Sequence, residues 1–297
     1  MVIEKLAGID IGSNAIRLLI TNVITEKKGK TPSFRKSALV RVPIRLGEDS
    51  FIKRKISEKN IIRMVKAMNA FKLLMEVHGV QNYRACATSA MREAVNGNDV
   101  VKEIFEKSSI KIDIIDGQKE AAIIYSTDLS TVIESEKTYL YVDVGGGSTE
   151  LTVFSKGKIV NSKSLKIGTV RLLNNKKENK DIWESMEVWI KTNTSDLKNI
   201  SLIGSGGNIN KIFKLSGKPL DKPLSLIYLK AHYKFLKQMT YEQRILELGL
   251  NPDRADVILP ATKIYLSAMK WCNAKKIYVP KIGLADGIVK SLYFNSL

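Results

Sequence analysis

The sequence predicts an α/β protein built from two similar halves with a cleft between its domains. Three observations carry this. The stretches "GIDIGSNAIRLLI" (8–20) and "YVDVGGGSTELTVF" (141–154) are both apolar–Asp–apolar–glycine turns that run into a second apolar strand, so one supersecondary unit occurs twice. Strand-like and helix-like patterns alternate behind each copy, as in α/β architectures. A chain of 297 residues that is 44% hydrophobic has material for two cores rather than one.

Taken in order, residues 5–23 read as strand, tight glycine turn and strand, with Gly12 at the turn. Residues 37–47, "SALVRVPIRLG", alternate like a strand that ends at Gly47. Residues 57–79 form a helix: Ser57 caps it, Gly79 ends it, and Ile61, Met64, Val65, Met68, Phe71, Leu74 and Met75 recur at helical spacing as a core stripe. "NYRACATSA" (82–90) is a buried strand entering a turn, and 96–109 is a short helix capped near Asn98 or Asp99. Residues 110–116 are a strand and 118–130 a helix, so the first half reads β-β-β-α-β-α-β-α. The pattern restarts at 138–168 with strand, glycine turn, strand, turn and strand. Helical segments follow near 180–197, then strand, glycine turn and helix over 199–217, a mostly helical stretch over 226–273 and a late strand at 275–280.

The charge is the compositional outlier. There are 48 basic and 30 acidic residues, net +18, and the basicity is spread: residues 1–124 carry net +8 and the remainder net +10. Such a surface attracts polyanions. No apolar run is long enough to span a bilayer, and the N-terminus, with Glu4, Asp10 and two glycines in what would be its apolar region, is unlike a signal peptide. Cys86 and Cys272 lie far apart with no metal-ligand spacing, which reads as two buried free thiols in a reducing compartment, and the expected localisation is cytoplasmic. His78 and His232, the only histidines, sit in no motif.

The second glycine turn carries the chemistry. Backbone N–H groups hold phosphate where no Cβ blocks the approach, which suits Gly145, Gly146 and Gly147. Ser148 and Thr149 add hydroxyl donors. Asp143 ends a strand, where its carboxylate can hold a hard cation such as Mg²⁺, and Glu150 lies beyond the turn on a strand that returns toward the same place.

Seven segments in one order resemble the exopolyphosphatase/guanosine pentaphosphate phosphatase (Ppx/GppA) family. They are "DIGSNAIRL" (10–18), "RLGE" (45–48), "ATSAMREAVNG" (87–97), "DGQKEAAIIY" (116–125), "DVGGGSTEL" (143–151), "SLKIGTVRL" (164–172) and "GSGGNINKI" (204–212). The resemblance runs from about residue 8 to about 290 and looks like the short two-domain form of the family, within the superfamily of actin, the sugar kinases and the heat-shock chaperone ATPases. It implies two actin-like (ribonuclease H-like) domains of duplicated topology, over 1–124 and 125–284, with an interdomain active-site cleft. It also implies a hinge near Ile124 to Asp128 and a C-terminal helix, about 285–297, packed back on the first domain.

The resemblance places roles on individual residues. Glu120 falls on the catalytic glutamate of a segment that reads Gly117-Gln118-Lys119-Glu120-Ala121 here, with Lys119 where the family carries an acid. Arg92 matches a phosphate-contacting arginine, whose planar fork can engage two oxygens. Asp10, Gly12, Ser13 and Asn14 form the first phosphate loop, with Asp10 reaching a metal through water. Gly206 and Gly207 form a third glycine turn, followed by Asn208 where threonine is frequent. "GLADGIV" (283–289) departs from the family's Gly-Leu-Arg-Glu-Gly at Ala285 and Asp286, and no role is carried onto those two.

The implied function is a Mg²⁺-dependent exophosphatase acting on terminal phosphoanhydrides. Inorganic polyphosphate is the first substrate and guanosine pentaphosphate the second. Glu120 would orient or deprotonate water, Asp143 and Glu150 would hold the metal, and Arg92 would offset charge on the phosphoryl group. The alternatives are a small-molecule kinase on the same fold and a non-catalytic sensor of alarmone or polyphosphate. Nucleic acid is not an expected partner. A homodimer would let a channel for a long chain extend across two subunits.

Overall fold

The computed structural model describes residues 1–26, 31–125, 134, 136–174 and 180–295. The chain divides into two compact units, Met1–Thr127 with Gly283–Leu297, and Asp128–Ile282.

In unit 1, β1 (Val2–Ile11) and β2 (Ala15–Thr25) make a hairpin about the first glycine turn, and β3 (Ser33–Pro43) pairs antiparallel with β2. A single turn, α1 (Leu46–Glu48), and a π-helical turn (Asp49–Lys53) lead into α2 (Glu58–His78). Then come β4 (Asn82–Ala87), α3 (Ser89–Glu93), α4 (Gly97–Ser108), β5 (Ile112–Ile114) and α5 (Gly117–Tyr125). The strand order is β3-β2-β1-β4-β5, with β1, β4 and β5 parallel.

The expected stripe on α2 is core: Ile61, Met64, Met68, Phe71 and Met75 are buried, with Val65 and Leu74 packed against them. Gly79 closes the helix in the left-handed region at φ 66, its N–H donating to the last turn. Four details differ from expectation. Ser57 precedes α2, but its hydroxyl donates to Asp49 Oδ2 at 2.5 Å instead of capping the helix. β3 stops at Pro43, because Arg45 turns left-handed at φ 61 and Gly47 N–H donates to Ser13 O at 2.8 Å. α4 starts at Gly97, after Asn96, whose side-chain amide holds both backbone groups of Ile56, at 2.8 and 3.0 Å. β5 covers three residues, 112–114, of the expected 110–116. The second half of the helix expected at 118–130, most of the hinge and all but Glu26 of the lysine-rich loop "EKKGK" (26–30) fall outside the described residues.

In unit 2, β6 (Tyr139–Val144), β7 (Thr149–Ser155) and β8 (Lys158–Leu165) form the second antiparallel run. They are followed by α6 (Thr169–Asn174), α7 (Lys180–Thr194), β9 (Ser201–Ser205), α8 (Gly207–Leu215) and β10 (Leu224–Ser225). Next are α9 (Leu226–Gln238), α10 (Tyr241–Leu246), α11 (Pro252–Ala255), α12 (Ile258–Trp271) and β11 (Lys276–Tyr278). The strand order is β10-β11-β9-β6-β7-β8. The two-residue β10 and the short α6 are not expected from the sequence pattern. The buried core gathers Leu140, Val142 and Leu151 from the sheet with Ile264, Tyr265 and Ala268 from α12.

The two sheets share one plan. A leading strand (β1, β6) pairs antiparallel with its successor and parallel with the strand that follows the third (β4, β9). The fold is therefore α/β with a duplicated topology, as the paired motifs predict. The last helix, α13 (Leu284–Tyr293), belongs to unit 1, where Ala285 and Val289 pack on Leu6, Leu19 and Val23. Among the described residues no helix is long and apolar enough to cross a membrane.

Candidate active site

In each unit the parallel strands end together, and the loops beyond their carboxyl ends carry the expected residues, the usual ligand position in an open α/β sheet. Unit 1 places Asp10 at the end of β1, Arg92 after β4 and Glu120 after β5.

Asp10 is 5% exposed and lies across the hairpin from Arg17, whose Nη1 is 2.5 Å from Asp10 Oδ2. The carboxylate expected to reach a metal through water thus has a guanidinium partner. No motif singles out Arg17, although hairpin register alone sets Asp10 opposite Arg17. Gly12 makes the turn, its N–H donating to Ala15 O at 3.2 Å. Ser13 is buried, with Oγ 2.9 Å from Ser89 Oγ, and the Ser13 and Asn14 carbonyls accept from the N–H groups of Gly47 and Arg45. The "RLGE" segment therefore braces the first loop from below.

Arg92 and Glu120 meet. Arg92 Nη1 donates to Ile115 O at 2.6 Å and lies 3.8 Å from Glu120 Oε2. The Glu120 side chain is 10% exposed and that of Arg92 27%. The N-terminus of α5 is capped by Asp116, which accepts from Lys119 N–H at Oδ1 (2.7 Å) and from Glu120 N–H at its carbonyl (3.0 Å). A buried carboxylate and a tethered guanidinium thus stand together at the strand ends, although 28 positions separate them in sequence.

Unit 2 holds the second set. Asp143 on β6 lies directly opposite Glu150 on β7, so both carboxylates project from one face of the sheet. Glu150 is 2% exposed and its Oε1 accepts from Ser164 Oγ at 3.0 Å. Between them the triple-glycine turn is closed by Gly145 N–H donating to Ser148 O at 3.0 Å. The turn's carbonyls are taken by α6: Gly145 O accepts from Thr169 N–H, Gly146 O from Val170 and Arg171 N–H, and Gly147 O from Arg171 Nε at 2.9 Å. Gly168 makes this possible, since a Cβ there would lie 2.5 Å from the backbone of Gly146 and Gly147.

Thr149 departs from expectation. It is fully buried and its hydroxyl donates to Ile167 O at 2.6 Å, so it fixes the loop and is no donor to an anion. Ser148 is 4% exposed. Gly206, at φ 118, brings the third glycine turn against Asp143: a Cβ there would lie 2.9 Å from Val144 O and 3.4 Å from Asp143 Oδ1. Gly207 opens α8. Burial, and then the charge of Asp143, push the Tyr141 and Tyr265 phenols well above their ordinary range, and Tyr265 Oη donates to Ser205 O. Neutral phenols thus line the floor beneath Asp143. Ser205, Tyr265, Ser164 and Arg171 are supporting residues whose roles depend on contacts between distant segments.

Two hard oxygen donors on one sheet face fit Mg²⁺, which takes one or two carboxylates and completes its shell with phosphate oxygens and water. Both cysteines are free and buried, and burial pushes the Cys86 thiol up to about 11 and the Cys272 thiol up to about 12, which leaves both inert at neutral pH.

Comparison with known proteins adds an independent line. A bifunctional 3-dehydroquinate synthase/phosphatase of Fusobacterium nucleatum is 32% identical over 291 residues, covering 87% of this chain and 42% of that protein. A guanosine-5'-triphosphate,3'-diphosphate pyrophosphatase of Photobacterium profundum is 25% identical over 298 residues, covering 95% of this chain and 58% of its own. The chain thus spans about half the length of these two curated relatives. The crystal structure of an exopolyphosphatase from Cytophaga hutchinsonii has the same fold, with TM-score 0.83 at 23% identity over 98% of both chains. The family model of the Ppx/GppA phosphatases matches residues 23–295, and the chain belongs to that family.

Proposed function

We propose that this protein is a Mg²⁺-dependent exophosphatase that hydrolyses terminal phosphoanhydride bonds of inorganic polyphosphate, with guanosine pentaphosphate as the second substrate. The observation that carries the reading is the contact between Glu120 and Arg92, a carboxylate and a guanidinium joined on one sheet edge in a chain of this family. Hydrolysis needs a positioned water, a group to take its proton and positive charge on the transferring oxygens. Glu120 orients the water and accepts its proton. Arg92, tethered by Ile115, presents its remaining donors to phosphoryl oxygens. The N–H groups of Gly146, Gly147 and Ser148 hold phosphate, because the glycine carbonyls of the turn are already committed to α6. Asp143 and Glu150 are the ligands for Mg²⁺, which when bound offsets charge on the phosphate oxygens. Polyphosphate comes first because a protein of net +18 attracts long polyanions.

The test is phosphate release from polyphosphate and from guanosine pentaphosphate, with Mg²⁺ or EDTA. Wild type should release phosphate only with metal, and Glu120→Gln should lose about 10²-fold or more in kcat, the usual worth of a general base. Unchanged turnover in the variant removes Glu120 from the reaction. No release from either substrate by the folded wild type sinks the hydrolase reading.

A further inference from the structure

The positive charge is not even within unit 2. Residues 206–238 carry seven lysines against one acid, Asp221, and residues 270–282 carry four lysines and no acid. These 46 positions therefore hold net +10 of the chain's +18. The fold puts them side by side: β10 pairs with β11, and Leu226 N–H donates to Lys275 O at 2.9 Å, which seats the start of α9 against Lys275 and Lys276.

On α9 itself Lys230, Lys234 and Lys237 are exposed at i, i+4 and i+7, hence on one face, and the helix contains no acid. Like charges at that spacing destabilise a helix by a few tenths of a kcal/mol per pair. On α7 and α4, by contrast, a lysine is offset by an acid one turn away: Lys191 pairs with Glu187 at 2.6 Å and Lys107 with Glu103 at 2.5 Å. Farther in, burial and then the charges of Lys214 and Arg254 push the Lys211 ammonium below its ordinary range. The cluster starts close to the proposed phosphate site. α8 runs from the third glycine turn toward Lys214 and Lys218, a span of about 13 Å at 1.5 Å per residue.

We propose that the face of unit 2 formed by the 216–223 loop, the outer side of α9 and Lys275–Lys276 is a landing surface for long inorganic polyphosphate, holding the part of the chain not yet being cleaved. This deepens the function proposed above and rests on it. The chemistry favours an unpatterned phosphate chain over nucleic acid. The cluster contains lysines and no arginines, so it offers point charges and no planar forks for base edges. Its aromatic rings face one another: Tyr228 stacks on His232 at 5.7 Å, His232 lies 6.3 Å from Phe235, and Lys237 covers Tyr233. Those rings are not arranged as open platforms for stacked bases.

The test compares two triple variants of equal charge change. One is Lys230→Glu/Lys234→Glu/Lys237→Glu on α9, and the control is Lys59→Glu/Lys66→Glu/Lys102→Glu on exposed positions of α2 and α4 in unit 1. Binding of long-chain polyphosphate is read directly, without turnover, at several salt concentrations, and turnover of tripolyphosphate is read separately. The α9 variant should bind the long chain about tenfold or more weakly at low salt, with a log–log salt slope shallower by about two. The control should stay near wild type, and both should cleave tripolyphosphate at the wild-type rate. Equal loss in the control, unchanged long-chain binding in the α9 variant, or a wild-type preference for single-stranded DNA or anionic vesicles at matched phosphate concentration overturns the proposal. If long-chain binding falls only in the α9 variant while no variant releases phosphate, the surface stands and the hydrolase reading falls.

Discussion

Asp49, 6% exposed at the start of the π-helical turn, gathers three donors on one oxygen: Ser57 N–H at 3.0 Å, Ser57 Oγ at 2.5 Å and Asn60 Nδ2 at 2.8 Å. Burial opposes its ionisation. The Ser57 hydroxyl and N–H, the Asn60 amide and the Lys53 charge outweigh that, and hold the carboxyl below its ordinary value. A depressed folded-state pKa means that the stabilisation is complete above the unfolded value, about 3.9, and is lost as pH falls through the folded one. Asp49→Asn should therefore cost about 1–3 kcal/mol at pH 7, and the gap to wild type should begin to narrow as pH falls below about 4. Urea unfolding of both proteins at pH 7 and pH 3 measures it, and a gap as wide at pH 3 as at pH 7 contradicts the ionic origin. Such partners explain what the sequence could and could not disclose at this scale. Residue types at the site were legible because phosphate chemistry restricts them. The directions of Ser13, Ser57 and Thr149 were not, because a hydroxyl bonds whatever the distant chain presents: Ser89, Asp49 and the Ile167 carbonyl.

The β6–turn–β7 hairpin and α6 work as one element. A helix start leaves N–H groups without intrahelical partners, and α6 spends them on the carbonyls of the glycine turn. This orients the turn's peptides before any anion arrives, so the cost of ordering is met on folding and not on binding. The hairpin was readable from its strand alternation and its glycines. The brace was not, because a six-residue helix has no periodicity to detect, and Gly168 is special only through what it touches. Gly168→Ala should push α6 off the turn, since the obstacle is backbone at 2.5 Å. Its expected cost is about 1–3 kcal/mol in stability, together with weaker phosphate binding. Arg171→Gln keeps the α6 backbone donors and removes the Nε bond to Gly147. It should raise KM several-fold, by about the 1 kcal/mol of one such bond, with little change in Tm. A Tm loss in Arg171→Gln as large as in Gly168→Ala would mean that the arginine holds the domain together and not the loop.

At the scale of the whole molecule, the duplicated hairpins are local and show in any window that contains them, which is why the two-sheet α/β plan was legible. The path of the chain is not local. It leaves unit 1 near residue 127, builds unit 2 and re-enters unit 1 at Gly283. The return depends on two glycines with no turn to make. A Cβ at Gly8 would lie 2.7 Å from Ala285 O, and one at Gly287 would lie 2.1 Å from Ile123 O. Gly287 sits inside a helix, where glycine costs about 1 kcal/mol against alanine, so sequence alone reads it as a weakness. Its use is the close approach of α13 to α5, and α5 carries Glu120 one turn before Ile123. Residues at the far end of the chain therefore set the position of the proposed catalytic carboxylate. Gly287→Ala removes the intrinsic helix cost, so propensity alone predicts a more stable protein. The steric term decides the other way, because a backbone carbonyl at 2.1 Å cannot step aside as a side chain would. The expected outcome is a lower Tm and a kcat reduced about tenfold or more, since a misplacement near 1 Å can cost up to about 10²-fold. KM should stay within about twofold, because the phosphate loops of unit 2 are untouched. Gly283→Ala is the matched control: nothing lies within 4 Å of its Cβ position, and it should leave Tm and kcat alone. A stabilised, fully active Gly287→Ala would show that α13 and α5 slide past each other freely, and that the C-terminal helix has no part in placing Glu120.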